Sequence, residues 1–198
     1  NARLCDPDPV TFPLSAESPK GVLDTLTLMS GDYWIWKERS TKYQYRYDFL
    51  STNAYGEKTY RLTSLTDKNG NAANFTYTAN GKISAITDAG ARVVSFTYDA
   101  NGHCQSMTTP DGKTASYAYD GNGNLIQTLD LLGTEIAYTY DADNYMTSMR
   151  VADKTTTFVY DEADGWFHVA SITDANGKTK TYRSPQYRRH EITDARGN

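Results

Sequence analysis

The apolar positions of this chain fall into short alternating runs broken by turn residues, and the runs recur. An aromatic–x–Tyr pair stands at Phe75–Tyr77, Phe96–Tyr98, Tyr117–Tyr119, Tyr138–Tyr140 and Phe158–Tyr160, and a weaker copy ends at Tyr182. The second Tyr of successive pairs advances by 21, 21, 21, 20 and 22 residues. Six positions after the Tyr comes an apolar residue, Ile83, Cys104, Leu125 or Met146, and a further slot nine positions after it holds Ile86, Met107, Thr128 or Met149. Asp then marks the next turn at Asp88, Asp130, Asp153, Asp174 and Asp194. Five agreeing intervals in a row establish an internal repeat, and a repeat decides the architecture before any single element does.

Each unit reads as two short strands and two turns. In the stretch 113–133, Ala115, Tyr117 and Tyr119 lie at even spacing, which puts them on one face of a strand. Asp120-Gly121-Asn122-Gly123 is turn chemistry, because Gly and Asn tolerate positive φ, and Gly81 and Gly102 hold the place of Gly123 in neighbouring units. Residues 124–129 return as the second strand. So small a hairpin cannot bury its own face and must pair with its neighbours. The expected fold is therefore all-β: an array of hairpins forming one curved antiparallel sheet. The apolar slots six and nine after the Tyr have opposite parity, so they face opposite ways unless a bulge separates them. The pattern leaves both a two-faced flat sheet and a bulged one open.

Composition agrees with strands. Leu, Ile, Val and Phe make up 32 of 198 residues, about 16%, which is short for an ordinary core. The formal net charge of −4 is too small to turn that shortage into disorder, and 16 Tyr with 26 Thr suit a pleated, half-exposed surface. No stretch approaches the roughly 20 apolar residues of a membrane span, and the start shows no signal-peptide pattern. Slight acidity without a Lys/Arg cluster argues against a nucleic-acid partner. Two cysteines, Cys5 and Cys104, make neither a disulfide framework nor a zinc site.

The run Tyr117-Ala118-Tyr119-Asp120-Gly121-Asn122-Gly123-Asn124-Leu125 resembles the YD repeat of the Rhs (rearrangement hotspot) proteins. Residues 96–102 and 138–141 repeat it, and residues 60–71 are similar to the segment that opens the array in bacterial Rhs proteins. The resemblance covers residues 60–198 well and 22–59 loosely. It implies an open segment of a larger β-shell that encloses a C-terminal toxin in a secreted or cell-surface bacterial protein. The partners implied are the rest of its own polypeptide and that toxin; no cofactor is implied. Related repeats in the teneurins imply the alternative, a carbohydrate-binding or cell-adhesion module. Neither the autoproteolytic core region nor a variable toxin tail of a complete Rhs protein is present, and six units are too few to close a large shell.

Two segments are expected: an irregular lead-in over residues 1–59 and the array over residues 60–198. Four of the six prolines, Pro7, Pro9, Pro13 and Pro19, make the start extended and poorly regular, while Tyr43, Tyr45 and Tyr47 alternate as in a strand. Asn1 in place of Met suggests ends set by cleavage. The final Asp194-Ala195-Arg196-Gly197-Asn198 repeats the turn at 67–71, which predicts an open sheet edge beyond it.

Candidate chemistry is sparse. Asp120-x-Asn122-x-Asn124 and Asp67-x-Asn69-x-Asn71 imitate the start of a calcium loop, but the sixth and twelfth places hold Leu125 and Leu131, then Ala72 and Thr78, so a hairpin turn is the better reading. His103, His168 and His190 lie in different units with no repeated carboxylate or nucleophile partner, and no enzyme is expected. Cys104 fills an apolar slot. The periodic residues Tyr77, Tyr98, Tyr119, Tyr140, Tyr160 and Tyr182 are read as a structural ladder between strands. Trp34 and Trp36 fall outside the period, which makes them the candidates for stacking on a saccharide.

Overall fold

The computed structural model describes residues 10–11, 24–163, 166–186 and 189–194. Among these residues there are seventeen strands and no helix, so the expectation of an all-β, antiparallel hairpin array is met. The chain divides into two compact units, one of residues 1–98 with 107–112 and one of residues 99–106 with 113–198.

The first unit contains β1 (Val10–Thr11), β2 (Thr25–Met29), β3 (Tyr33–Lys37), β4 (Gln44–Thr52), β5 (Lys58–Thr66), β6 (Ala72–Tyr77), β7 (Ile83–Thr87) and β8 (Val93–Tyr98). From β2 to β8 each strand pairs antiparallel with the next, and β1 pairs with the Thr59–Tyr60 end of β5. Strand β9 (Cys104–Thr108) contributes to both units. The second unit runs through β10 (Thr114–Tyr119), β11 (Leu125–Leu129), β12 (Glu135–Tyr140), β13 (Met146–Val151), β14 (Lys154–Ala163), β15 (Trp166–Thr173), β16 (Thr179–Gln186) and β17 (Arg189–Thr193), again each antiparallel to the next. Among the described residues no ladder closes the strands of either unit into a barrel.

Register settles the parity question in favour of a bulge. In the β6–β7 hairpin Thr76 stands opposite Ala85 and Tyr77 opposite Ile83, so Ser84 is the extra residue. The same shift makes Ile126, Thr147 and Ala170 extra in the hairpins ending at Tyr119, Tyr140 and Tyr160. One added residue between the two apolar slots reverses the alternation. Ile83 and Ile86 therefore share a face with Phe75 and Tyr77.

On the opposite face two of the hairpins carry clusters of small hydroxyl side chains. Thr76 Oγ1 lies 3.0 Å from Ser84 Oγ, and Thr139 Oγ1 lies 2.8 Å from Thr147 Oγ1 and 2.7 Å from Ser148 Oγ. Neither face is dry. Among the described residues the buried apolar ones are Trp34, Tyr60, Ile83 and Ala115, and no side chain is completely buried. Order in such a sheet must come from hydrogen bonds and lateral contacts as much as from a core.

The repeated tyrosine ladder as candidate functional site

Ladders inside a hairpin and ladders between hairpins differ in length, and that difference is what the periodic Tyr answers. Between units, β5 pairs with β6 only from Ser64 to Thr66, β7 with β8 only from Ala85 to Thr87, and β11 with β12 only from Gln127 to Leu129. Each stops two residues short of the apolar slot at the start of the second strand, at Leu62, Ile83 or Leu125. The backbone carbonyl in that slot is where the next Tyr hydroxyl arrives. Tyr98 donates to the Ile83 carbonyl at 2.8 Å, Tyr119 to that of Cys104 at 3.0 Å, Tyr140 to that of Leu125 at 2.8 Å and Tyr160 to that of Met146 at 3.0 Å. Tyr77 does the same to Leu62. The ring supplies cross-strand packing and the hydroxyl satisfies a main-chain acceptor, so Phe could fill the first place of the pair but not the second. Burial pushes the Tyr77 and Tyr140 phenols above their ordinary range, which keeps the donor protonated.

The ladder begins earlier than the period indicates. Tyr45 stands opposite Leu65 and Tyr47 opposite Leu62, with Thr63 as the extra residue, so β4–β5 is a hairpin of the same design. The Tyr45-x-Tyr47 pair was visible in the sequence, but 30 residues rather than 21 separate Tyr47 from Tyr77 because both strands of this hairpin are longer. At the other end Tyr182 stands opposite Ile192, two residues before Asp194, as Phe75 stands opposite Ile86 two residues before Asp88. Tyr182 thus takes the first place of the pair, not the second.

The turns share one mechanism. Asp120 Oδ1 accepts the backbone N–H groups of Asn122 at 2.9 Å and Asn124 at 2.8 Å, while Oδ2 accepts the Asn124 amide at 3.0 Å. Asp67, Asp88, Asp99, Asp130, Asp141 and Asp174 hold their own turns through the same pair of N–H groups. This is the side-chain-to-backbone bonding that makes Asp a turn residue. The carboxylates that mimic a calcium loop, Asp67 and Asp120, are therefore already engaged as turn acceptors. Among the described residues no group of three or more His, Cys, Asp or Glu converges to hold a metal ion.

Three residues into the turn, the chain needs a left-handed residue. Gly81, Gly102 and Gly123 each have φ 86° there. Gly123 has a second reason to lack a side chain: a Cβ would sit 3.3 Å from His103 Nε2. That imidazole stacks on Tyr119 at 4.7 Å and its Nδ1 lies 3.0 Å from Asp99 Oδ2. In the β5–β6 region Arg61 lies over the Tyr77 ring at 4.5 Å and beside Gly81. Tyr145 meets Tyr160 at 5.0 Å. The residue just before the apolar slot thus covers the next Tyr from the side, a contact with no periodic residue type to reveal it in sequence.

The remaining candidates are dispersed. Trp34 is only 8% exposed and packs edge-on against Tyr60, whereas Trp36 is half-buried and stacks on Tyr45 at 4.5 Å. His168 stands opposite Asp161 on β14–β15. The side chain of His190 lies outside the described residues, as does Cys5. Cys104 Sγ is half-buried and lies 3.6 Å from the Ser106 carbonyl.

Comparison with known proteins agrees with this geometry. The family model described as RHS Repeat matches three overlapping windows, residues 77–114, 98–135 and 119–156. No curated protein sequence matches the chain. Among solved structures, the crystal structure of TcdB2-TccC3-TEV aligns with a TM-score of 0.54 at 18% identity, covering 76% of this chain and 9% of that one. A Photorhabdus luminescens Tc holotoxin pore aligns with a TM-score of 0.52 at 15% identity, covering 82% of this chain and 10% of that one. TcdB2-TccC3 without its hypervariable C-terminal region gives 0.51 at 18% identity, covering 78% and 9%. The chain thus spans about a tenth of the length of the solved chains it matches, and at these identities the likeness is one of fold. The period, the bulged hairpins and the three matched windows thus agree that residues 77–156 carry Rhs (YD) repeats.

Proposed function

We propose that this chain is a structural segment of an Rhs-type β-shell within a longer, secreted toxin-bearing polypeptide, and that the shell encloses a C-terminal toxin segment. The observation that carries the reading is where the periodic chemistry goes. The hydroxyls of Tyr77, Tyr98, Tyr119, Tyr140 and Tyr160 and the carboxylates of seven turn Asp residues are bound to the protein's own main chain, so the repeat is equipped to build wall rather than to act on a substrate. A wall of this kind works by satisfying its backbone: a protease needs an extended strand with free main-chain groups, and continuous antiparallel pairing withholds them. The role proposed is therefore mechanical, not catalytic. The tenfold greater length of the aligned Tc chains supports a place within a larger assembly.

The test is limited proteolysis of the whole polypeptide that carries this segment, following its C-terminal region by mass spectrometry. Enclosure predicts that this region survives while linkers outside the array are cut, and that it becomes susceptible only once the array is unfolded. Digestion at the rate of a free peptide under native conditions would contradict the proposal.

A further inference from the structure

The dipeptide Asn-Gly occurs five times, at Asn69, Asn80, Asn101, Asn122 and Asn176, always at the same place in a hairpin turn. All five Asn residues are exposed. In this dipeptide the side-chain amide is open to attack by the next backbone nitrogen, because Gly places no side chain in the way. Within each closed turn the Gly N–H donates to the carbonyl three residues back, at 2.9–3.2 Å, which withholds that nitrogen.

The five turns are not braced alike. Asp67, Asp99, Asp120 and Asp174 begin four of them, and Oδ1 of each accepts the Asn N–H at 2.8–2.9 Å and a further N–H two residues on. A carboxylate there also opposes the negative charge that builds on the Gly nitrogen as it loses its proton. The turn at 78–82 begins with Thr78 instead. Its hydroxyl accepts the Lys82 N–H at 3.1 Å, and among the described residues no side chain accepts the Asn80 N–H. The charge beside this turn is reversed as well. A Cβ on Gly81 would sit 3.2 Å from an Arg61 guanidinium nitrogen, so a cation lies against the peptide that must turn anionic. At Gly123 the corresponding neighbour is the His103 ring, but that imidazole is bonded to Asp99, and Asp120 braces the turn.

We propose that Asn80 is a site of spontaneous deamidation, set apart from its four counterparts by Thr78 and Arg61. Opening of the turn frees the Gly81 nitrogen from the Thr78 carbonyl, and solvent base removes its proton. The nitrogen attacks Asn80 Cγ, the new C–N bond closes a succinimide, and the side-chain nitrogen leaves as ammonia with a proton from water. A water molecule then adds to either ring carbonyl and reopens the ring as aspartate or isoaspartate. One water is consumed and one ammonia released, with no oxidant and no enzyme. The product carboxylate arises one residue from Gly81, beside an Arg61 that covers the Tyr77 ring at 4.5 Å. Modification therefore acts at the joint where Tyr77 bonds the Leu62 carbonyl.

Peptide mapping by mass spectrometry of the 198-residue chain, incubated under mildly alkaline native conditions, tests this. Deamidation at Asn80 should run at least ~5-fold faster than at each of the other four, the factor one unit charge a few Å away gives in water. In denaturant the five rates should converge, because the brace and the guanidinium act only in the fold. Thr78→Asp installs the residue that begins the other four turns, so the hairpin is kept. It should slow Asn80 at least ~5-fold, and Arg61→Gln should slow it too. A native rate at Asn80 no higher than at its counterparts, a ranking unchanged by denaturant, or undiminished deamidation in Thr78→Asp would overturn the assignment.

Discussion

Tyr140 donates its hydroxyl to the Leu125 carbonyl at 2.8 Å, a partner 15 residues back and in the preceding hairpin. Replacing it by Phe keeps the ring and leaves a half-buried acceptor without this donor. Tyr140→Phe is expected to lower the unfolding free energy by about 0.5–1.5 kcal/mol, seen as a lower denaturant midpoint at unchanged slope. Ala91 carries the opposite opportunity. It sits at φ 60° in the place where the other turns use Gly with φ between 77° and 88°, with Asn144 at 67° as the other exception. Since a left-handed Ala costs more than the entropy a Gly adds, Ala91→Gly should raise stability by about 0.5–1 kcal/mol, measurable in the same titration. The period of the Tyr was plain in the sequence, but its bond was not, because the acceptor is a main-chain carbonyl that no residue type marks. Trp34 and Trp36 show the reverse limit: both stood out by breaking the period, and only packing distinguishes the buried ring against Tyr60 from the one stacked on Tyr45.

At the scale of the element, one extra residue per hairpin decides which face each strand presents. Ile83 and Ile86 announced the conflict by their spacing, yet sequence alone could not say whether a bulge or a two-faced sheet resolves it; the extra residues Ser84, Ile126, Thr147 and Ala170 have no common chemistry. The turns were far more legible, because Asp and Gly act within five residues of each other. Those turns also set an acid dependence. The Asn71 amide holds Asp67 below the ordinary carboxylate range of 3.8, the Arg92 guanidinium does so for Asp88, the Asn124 amide for Asp120 and the Thr134 N–H for Asp130. A carboxylate whose value is lower in the fold than in the unfolded chain stabilises fully above the unfolded value and loses that contribution as pH falls through the folded one. Stability should therefore be level from neutrality to about pH 4 and decline below it. Asn53 makes the same two N–H contacts, to Tyr55 at 2.9 Å and Glu57 at 3.0 Å, as an uncharged residue. Asp120→Asn should accordingly preserve the turn and flatten part of the acid limb, checked by thermal unfolding at about pH 7 and about pH 3.

From the β6–β7 hairpin to the β14–β15 hairpin, each is tied to the one before it by one Tyr hydroxyl, with no completely buried side chain among the described residues to add a central core. Stability is then close to a sum over units and the joints between them. All-β architecture followed from the repeat because a hairpin of some twenty residues has no other way to cover its apolar face. The joints themselves were not legible, since they depend on where inter-unit pairing ends, which register alone fixes. The most direct test of this account is hydrogen–deuterium exchange across the second unit of the chain, comparing the native protein with Tyr140→Phe. The account predicts faster exchange in the β11–β12 joint, residues 127–129 and 135–137, with the β12–β13 hairpin protected as before. Unchanged exchange in that joint, or equal loss of protection throughout the unit, would contradict a repeat coupled through its tyrosines.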